Sequence, residues 1–300
     1  TGISLLGLGL MKEAESAAGA IRLLTDGIKP DGTPPVTYEH QAYVYAYQIP
    51  LLAWGVGHFL ALCPDRRLLR DVYDPLGRYV RHWLDGYATE RGLVVYPPGV
   101  TSLDDAVRWH TGSPLAPEPG QTWHAKDWGV SRPNLFESPD NNAFLYLELR
   151  TLAAMAKALG READRVEWEA RATRLAAAIN TWLLDPMTRT YQDRRVETGI
   201  FTGLVNMASF IPVYAGIAPK AAAQHMCRHY LLSEDHFLTD MPFPVVDRAH
   251  PTFRAGGFLH EPPGFPGSLV QHAYWRGRTW IHGDYWLLGA LWRSGSTRKP

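Results

Sequence analysis

Two apolar stripes at helical spacing, separated by one glycine, constrain this chain more than any other feature. From Asn141 the residues Leu145, Leu149, Leu152, Ala156 and Leu159 recur every three or four positions, and Gly160 stops the run. Asp140 stands where an N-cap is expected. From Glu162 to Leu184 a second stripe holds Trp168, Ala172, Leu175, Ile179 and Trp182. Helices with one apolar face each and a tight turn between them bury those faces by folding back, so an antiparallel hairpin is expected.

Other segments follow the same pattern. Leu6, Leu10, Ala14, Ala17, Ile21 and Leu24 predict one helix over Ile3 to Leu24, ended by Asp26 and Gly27. Pro30 to Tyr38 reads as a loop, and Ile49 to Cys63 as a helix opened by Pro50. Asp65 is placed to cap a helix over Arg66 to Tyr87, which Pro75 should kink or restart. Further on, a small strand pair is expected within Thr188 to Val196. A helix pair should cover Phe201 to Ile217 and Lys220 to Leu232, followed by an extended stretch from Phe237 to Pro244. The final helix closes the run from Tyr274 to Trp292. Hairpins separated by long loops, with no fixed repeat period, fit a toroid of paired helices better than a solenoid. The expected class is all-α, an (α/α)6 toroid.

Composition narrows the partners. The chain has 300 residues, 46% of them apolar, with thirty basic residues against thirty acidic ones. That balance offers no electrostatic footprint for nucleic acid or an anionic membrane. No apolar run approaches the roughly 20 residues of a membrane span, and the opening lacks a basic leader region, so a cytoplasmic location is expected. Cys63 and Cys227 each fall in an apolar helical pattern and read as buried free thiols. His110, His124 and Asp127 match no ligand spacing, so neither a metal nor a cofactor is expected. Eleven tryptophans exceed what a core of this size needs, and some are expected to line a cavity.

The chemistry concentrates in Gly92 to Trp109, GLVVYPPGVTSLDDAVRW. A short strand, Leu93 to Tyr96, runs into Pro97, Pro98 and Gly99, then a loop carries Asp104, Asp105, Arg108 and Trp109. Cleaving a glycosidic bond needs one carboxylic acid to protonate the leaving oxygen and a second carboxylate to activate water or attack the carbon. The same two aspartates could instead cap a turn or a helix.

The loop resembles the general-acid loop of glycoside hydrolase family 63 and the related trehalases. There a Ser-Gly-x-Asp-(Asp/Asn) core precedes Arg and an aromatic residue. Here Thr101 to Asp105, Arg108 and Trp109 match that core, with Val100, Ser102 and Val107 where the family carries Glu, Gly and Pro. The resemblance puts the acid on Asp104. The stretch beginning SPDNNAFLYLELR also resembles the hairpin that follows the family's acid loop. YWRGRTWIHGDYW, with Trp275, Arg276, Gly277 and Trp280, resembles the turn before its last inner helix. Gln48 falls where the family has a sugar-contacting Gln-Pro pair. From the residues alone, Arg276 and the tryptophans serve equally as a sugar-binding corner or a packed aromatic one.

The resemblance covers roughly Ile3 to Leu291 and implies a single toroidal catalytic domain over 1–300, without the family's first helix and last helices. It further implies an inverting, exo-acting α-glycosidase on a small α-glucoside or α-mannoside, such as a glycosylglycerate, trehalose or an oligosaccharide end. The family's second carboxylate lies in a Glu-bearing segment that nothing here matches, and Glu137 and Glu261 are the in-chain candidates. A carbohydrate-binding toroid without turnover is the alternative. A terpene-cyclase-like metal site is disfavoured, because Val107 and Arg108 occupy the places of a DDxxD motif's later positions. Oligomeric state does not follow.

Overall fold

The computed structural model describes residues 2–39, 42–45, 49–96, 136–251, 253 and 277–296. The chain forms two compact units, residues 1–94 with 144–177, and residues 95–143 with 178–300.

The first unit opens with α1 (Gly2–Leu10) and α2 (Ala14–Asp26) in place of one long helix. Lys12, at φ 59°, turns the chain left-handed and stops α1, and the Lys12 and Glu13 amides close onto the carbonyls of Gly9 and Leu8. The break lets α1 lie on α3 (Leu52–Leu62). A Cβ on Gly9 would sit 3.1 Å from Leu62 Cδ1, so the approach depends on that glycine. Residues expected as a loop instead form a hairpin, β1 (Pro35–Glu39) against β2 (Ala42–Tyr45), with an irregularity between Pro35 and Thr37. The β-branched and aromatic residues of VTYE and AYVY outweigh the preceding proline and glycine. α3 begins two residues beyond Pro50, so that proline does not open it.

α4 (Arg66–Gly86) is capped by the Asp65 carboxylate, which accepts the Arg67 and Leu68 amides at 2.9 Å. It continues through Pro75 as one run. Proline inside a helix costs about 3 kcal/mol, but Leu68, Val72, Leu76, Tyr79 and Trp83 are all buried on one face, and each large apolar side chain returns about 1.5–3 kcal/mol. The expected hairpin is present as α5 (Pro139–Leu159) and α6 (Glu162–Trp182), with Gly160 at φ 74° between them. α5 starts earlier than the stripe suggested. Pro139 takes the first turn and Asp140 lies inside the helix, fully buried, rather than at its cap.

The second unit contains a three-stranded sheet in the order β3 (Val95–Tyr96), β4 (Phe136–Glu137), β5 (Arg194–Arg195), all antiparallel. β5 therefore pairs with β4 and not within Thr188 to Val196. The helix expected over Phe201 to Ile217 shrinks to a 3-10 turn, Met207–Phe210, running into α7 (Ile211–Tyr214). Residues 202–206 are drawn into cross-chain pairing instead: the Thr202 amide donates to the Asp193 carbonyl and Asn206 bridges Val246. α8 (Lys220–Met226) continues as a π turn, Cys227–Leu231, and α9 (Ile281–Ser294) ends at Gly295, φ 67°. Cys227 is buried, Cys63 half-buried, and both are free thiols. Among the described residues no helix is long and apolar enough to cross a membrane.

Candidate functional site

β3 and β4 flank residues 97–135, the stretch that includes Asp104. Tyr96 pairs with Phe136 and Val95 with Glu137 in register. Asp104, Arg108 and Trp109 belong to that stretch and lie outside the described residues; Gln48, Trp275, Arg276 and Glu261, elsewhere in the sequence, also lie outside them. Of the candidate sugar-binding residues, Gly277 and Trp280 are described.

These two sit on a turn anchored by a segment that the sequence suggested only as extended and proline-broken. Residues 243–247 run between two other stretches. On one side the Val245 amide donates to the Arg278 carbonyl at 3.0 Å and Pro244 bridges Thr279. On the other the Met207 amide donates to the Val245 carbonyl at 2.8 Å, and the Asp247 amide to the Val205 carbonyl at 3.2 Å. Thr279 Oγ1 adds a bond to the Met241 carbonyl at 2.9 Å. Trp280, half-buried, then provides the N-cap position of α9 in extended backbone, its ring 5.6 Å from that of His282. A Cβ on Gly283 would come within 2.4 Å of Met207 Sδ, so α9 meets the 3-10 turn at van der Waals range.

One turn into α9, Asp284 was not singled out by the sequence. The Phe243 amide bonds its carboxyl and draws its pKa down, yet burial is the larger effect and raises it, and Oδ1 is buried with no partner. Burial also lowers the His282 imidazole. The nearby loop is tied by His236, whose Nδ1 lies 2.8 Å from Asp247 Oδ2; Asp247 also accepts the Ala249 amide.

Glu137, an in-chain candidate for the second carboxylate, is fully buried in the middle strand of the sheet, with Val95 and Arg194 opposite it. A base that activates water needs access to that water. The position suits a structural role. Among the described residues no group of three or more His, Cys, Asp or Glu could hold a metal ion.

The family model of the mannosylglycerate hydrolase MGH1-like glycoside hydrolase domain matches residues 4–299. The chain belongs to that family. This glycoside hydrolase domain is 30% identical over 157 residues to a mannosylglycerate hydrolase from Rubrobacter radiotolerans, a match covering 51% of the domain and 31% of that relative. The domain thus spans about a third of the curated relative it matches. A crystal structure of the family 63 mannosylglycerate hydrolase from Thermus thermophilus, in complex with glucose, superposes with a TM-score of 0.78 at 21% identity, covering 99% of the domain and 80% of that chain. The neutral trehalase of Saccharomyces cerevisiae superposes with a TM-score of 0.64 at 14% identity, covering 97% of the domain and 60% of that chain. The fold class of the domain is the all-α (α/α)6 toroid of these enzymes.

Proposed function

We propose that the domain acts as an inverting, exo-acting α-glycosidase on a small α-linked mannoside or glucoside, with a glycosylglycerate as the first substrate to try. The observation that carries this reading is the family match over residues 4–299, which spans both the acid loop and the Trp280 turn. In support, a mannosylglycerate hydrolase from Thermus thermophilus with this fold has been crystallised with Tris and D-glycerate.

Asp104 is the general acid in this reading. It gives its proton to the glycosidic oxygen as the bond to the sugar carbon breaks, while a second carboxylate takes a proton from water attacking the opposite face. Asp105, next in sequence, is a like charge that would raise the acid's pKa and keep it protonated at neutral pH. Arg108, Arg276 and Gln48 would hold hydroxyls, with Trp109, Trp275 and Trp280 as faces for the sugar ring and the Gly277 backbone leaving room beside it.

The test is hydrolysis of mannosylglycerate, glucosylglycerate and nitrophenyl α-glycosides by the domain and by Asp104→Asn, with the anomer of the first product read by NMR. Loss of about 10²–10⁴-fold in rate is expected in the variant, and the β-anomer is expected first. Undiminished activity in Asp104→Asn would refute the assignment, and α-anomer would refute inversion. The other reading is a domain that binds sugar without turnover. Saccharide binding with no released sugar from any substrate would establish it.

A further inference from the structure

α8 and the π turn that continues it lay two imidazoles along one groove. His225 and His229, four positions apart, stack with ring centroids 5.2 Å apart and 17° between their planes. Gln224 and Arg228 line the same groove, of about 460 Å³. π turns are uncommon and recur at functional sites, and here one carries both Arg228 and His229. A second guanidinium comes from elsewhere in the chain. Arg189 lies near enough to His225 for its charge to act on the imidazole, and it is held at φ 56°, a conformation glycine adopts far more readily.

These side chains offer positive charge and N–H donors. Arg189 and Arg228 are exposed, and neither makes an ion pair among the described residues. Two described carboxylates act on Tyr230, whose ring lies 4.9 Å from that of His229, but both are committed elsewhere. Asp185 accepts the Met187 amide at 3.0 Å and the Thr188 hydroxyl at 2.7 Å, and Asp247 meets His236 Nδ1 at 2.8 Å. The His236 ring is in turn 5.4 Å from that of His229, and from α9 the Ser294 carbonyl accepts Gln224 Nε2 at 3.4 Å.

Burial and then the Arg189 charge lower the His225 pKa, its bond to the Thr188 backbone raises it, and His229 lowers it again. An anion in the groove opposes the repulsion among these cations. A phosphate group suits them better than a lone carboxylate, because its oxygens can take guanidinium and imidazolium donors from several sides at once. The volume falls within the roughly 300–1,000 Å³ of small-molecule sites, which leaves room for an organic group beside the phosphate.

We propose that the groove between His225, Arg228, His229 and Arg189 is a binding site for a phosphate group, free or borne by a small phosphorylated metabolite. None of its residues is among those assigned to the sugar, so the proposal is independent of the glycosidase reading.

Calorimetric titration of the domain with sulfate, inorganic phosphate, glucose 6-phosphate and glucose, in a buffer without oxyanions, tests it. Sulfate keeps its charge between pH 6 and pH 8, so its binding should be roughly tenfold tighter at the lower value, where the imidazoles are charged. Arg228→Gln and Arg189→Gly should each weaken phosphate and sulfate roughly tenfold, the worth of one hydrogen bond to a charged group. Arg189→Gly should do so with a melting temperature unchanged or higher, since glycine accepts that backbone conformation. Tighter binding of glucose 6-phosphate than of phosphate would assign a phosphorylated metabolite as the source, and equal binding would assign free phosphate; either supports the site. Anion binding that survives both substitutions, or no binding of sulfate, phosphate or ester at millimolar concentration, overturns it. So does an NMR titration in which the His225 and His229 imidazole resonances move with zinc and not with sulfate, which would make the groove a metal site.

Discussion

Glu148 Oε1 accepts the backbone N–H of Trp54 at 2.7 Å, from 94 positions along the chain. Its other oxygen accepts the Ala53 N–H at 2.9 Å. The N-cap residue of α3 is Leu51, which offers no side-chain acceptor, so the Glu148 carboxyl group from the middle of α5 takes over the capping of α3.

This cap has a pH dependence. Burial pushes the Glu148 carboxyl up from 4.5 to about 8, against the two amides that hold it down. Between those values the folded protein binds the proton and the unfolded chain does not, so the contribution of Glu148 to stability falls as pH rises through the window and levels above it. The melting temperature of the wild type should therefore decline more steeply between pH 5 and 8 than that of Glu148→Gln. Parallel pH profiles for the two proteins would show that Glu148 does not titrate in that window. Glu148→Ala orphans both amides and should cost about 3 kcal/mol by urea denaturation.

Tyr73 links α4 to α6. Its hydroxyl accepts the Trp168 indole N–H at 3.0 Å and donates to Asp164 Oδ2 at 3.0 Å, while the Arg81 guanidinium lies 4.4 Å from the Trp168 ring. Tyr73→Phe keeps the ring and leaves a buried indole donor without its acceptor, at a cost of about 1–3 kcal/mol. Denaturation of Tyr73→Phe, Asp164→Asn and the double variant should give a non-additive cycle, whereas strict additivity would mean the two residues do not interact.

Gly57 sets the spacing of α3 and α5. A Cβ there would lie 2.4 Å from Thr151 Cγ2, too close for any pair of carbons. Gly57→Ala should destabilise the domain by about 1–3 kcal/mol through overpacking. Thr151→Ser removes the offending methyl and keeps the hydroxyl that bonds the Leu147 carbonyl, so the double variant should recover most of the loss. A double variant no more stable than Gly57→Ala would place the clash elsewhere.

Asp247 holds the loop that bears Arg248. Its carboxylate meets His236 Nδ1 at 2.8 Å and accepts the Ala249 amide at 2.9 Å, and it is 7% exposed. Asp247→Ala should cost about 1–3 kcal/mol, and hydrogen exchange should speed up at the amides of Arg248 and His250. Exchange unchanged at those two amides would mean that the backbone bonds alone fix the loop.

How much of this was readable in advance follows from the range of each interaction. The hairpin of α5 and α6 was legible because its stripes and Gly160 are local, and the Asp65 cap because it bonds residues two and three positions away. The order of acid loop, hairpin and YWRG turn along the chain carried the family, since motif spacing is itself a sequence property. Local patterns misjudged Phe201 to Asn206, where apolar spacing suggested a helix and pairing with residues 193 and 246 won. They also missed Asp284, whose environment depends on Phe243, and the partnership of Glu148 with α3.

The amino-acid order thus determined the hairpin of α5 and α6, the capped start of α4 and which family the chain joins, because those depend on neighbours within a few turns and on motif order. Only the tertiary structure decided that residues 243–247 anchor the Gly277 to Trp280 turn, that Glu137 is sealed inside a sheet, and that Arg189 lies near His225. Burial and long-range hydrogen bonding set the charge state and reach of a polar side chain, and both are created only when distant segments meet.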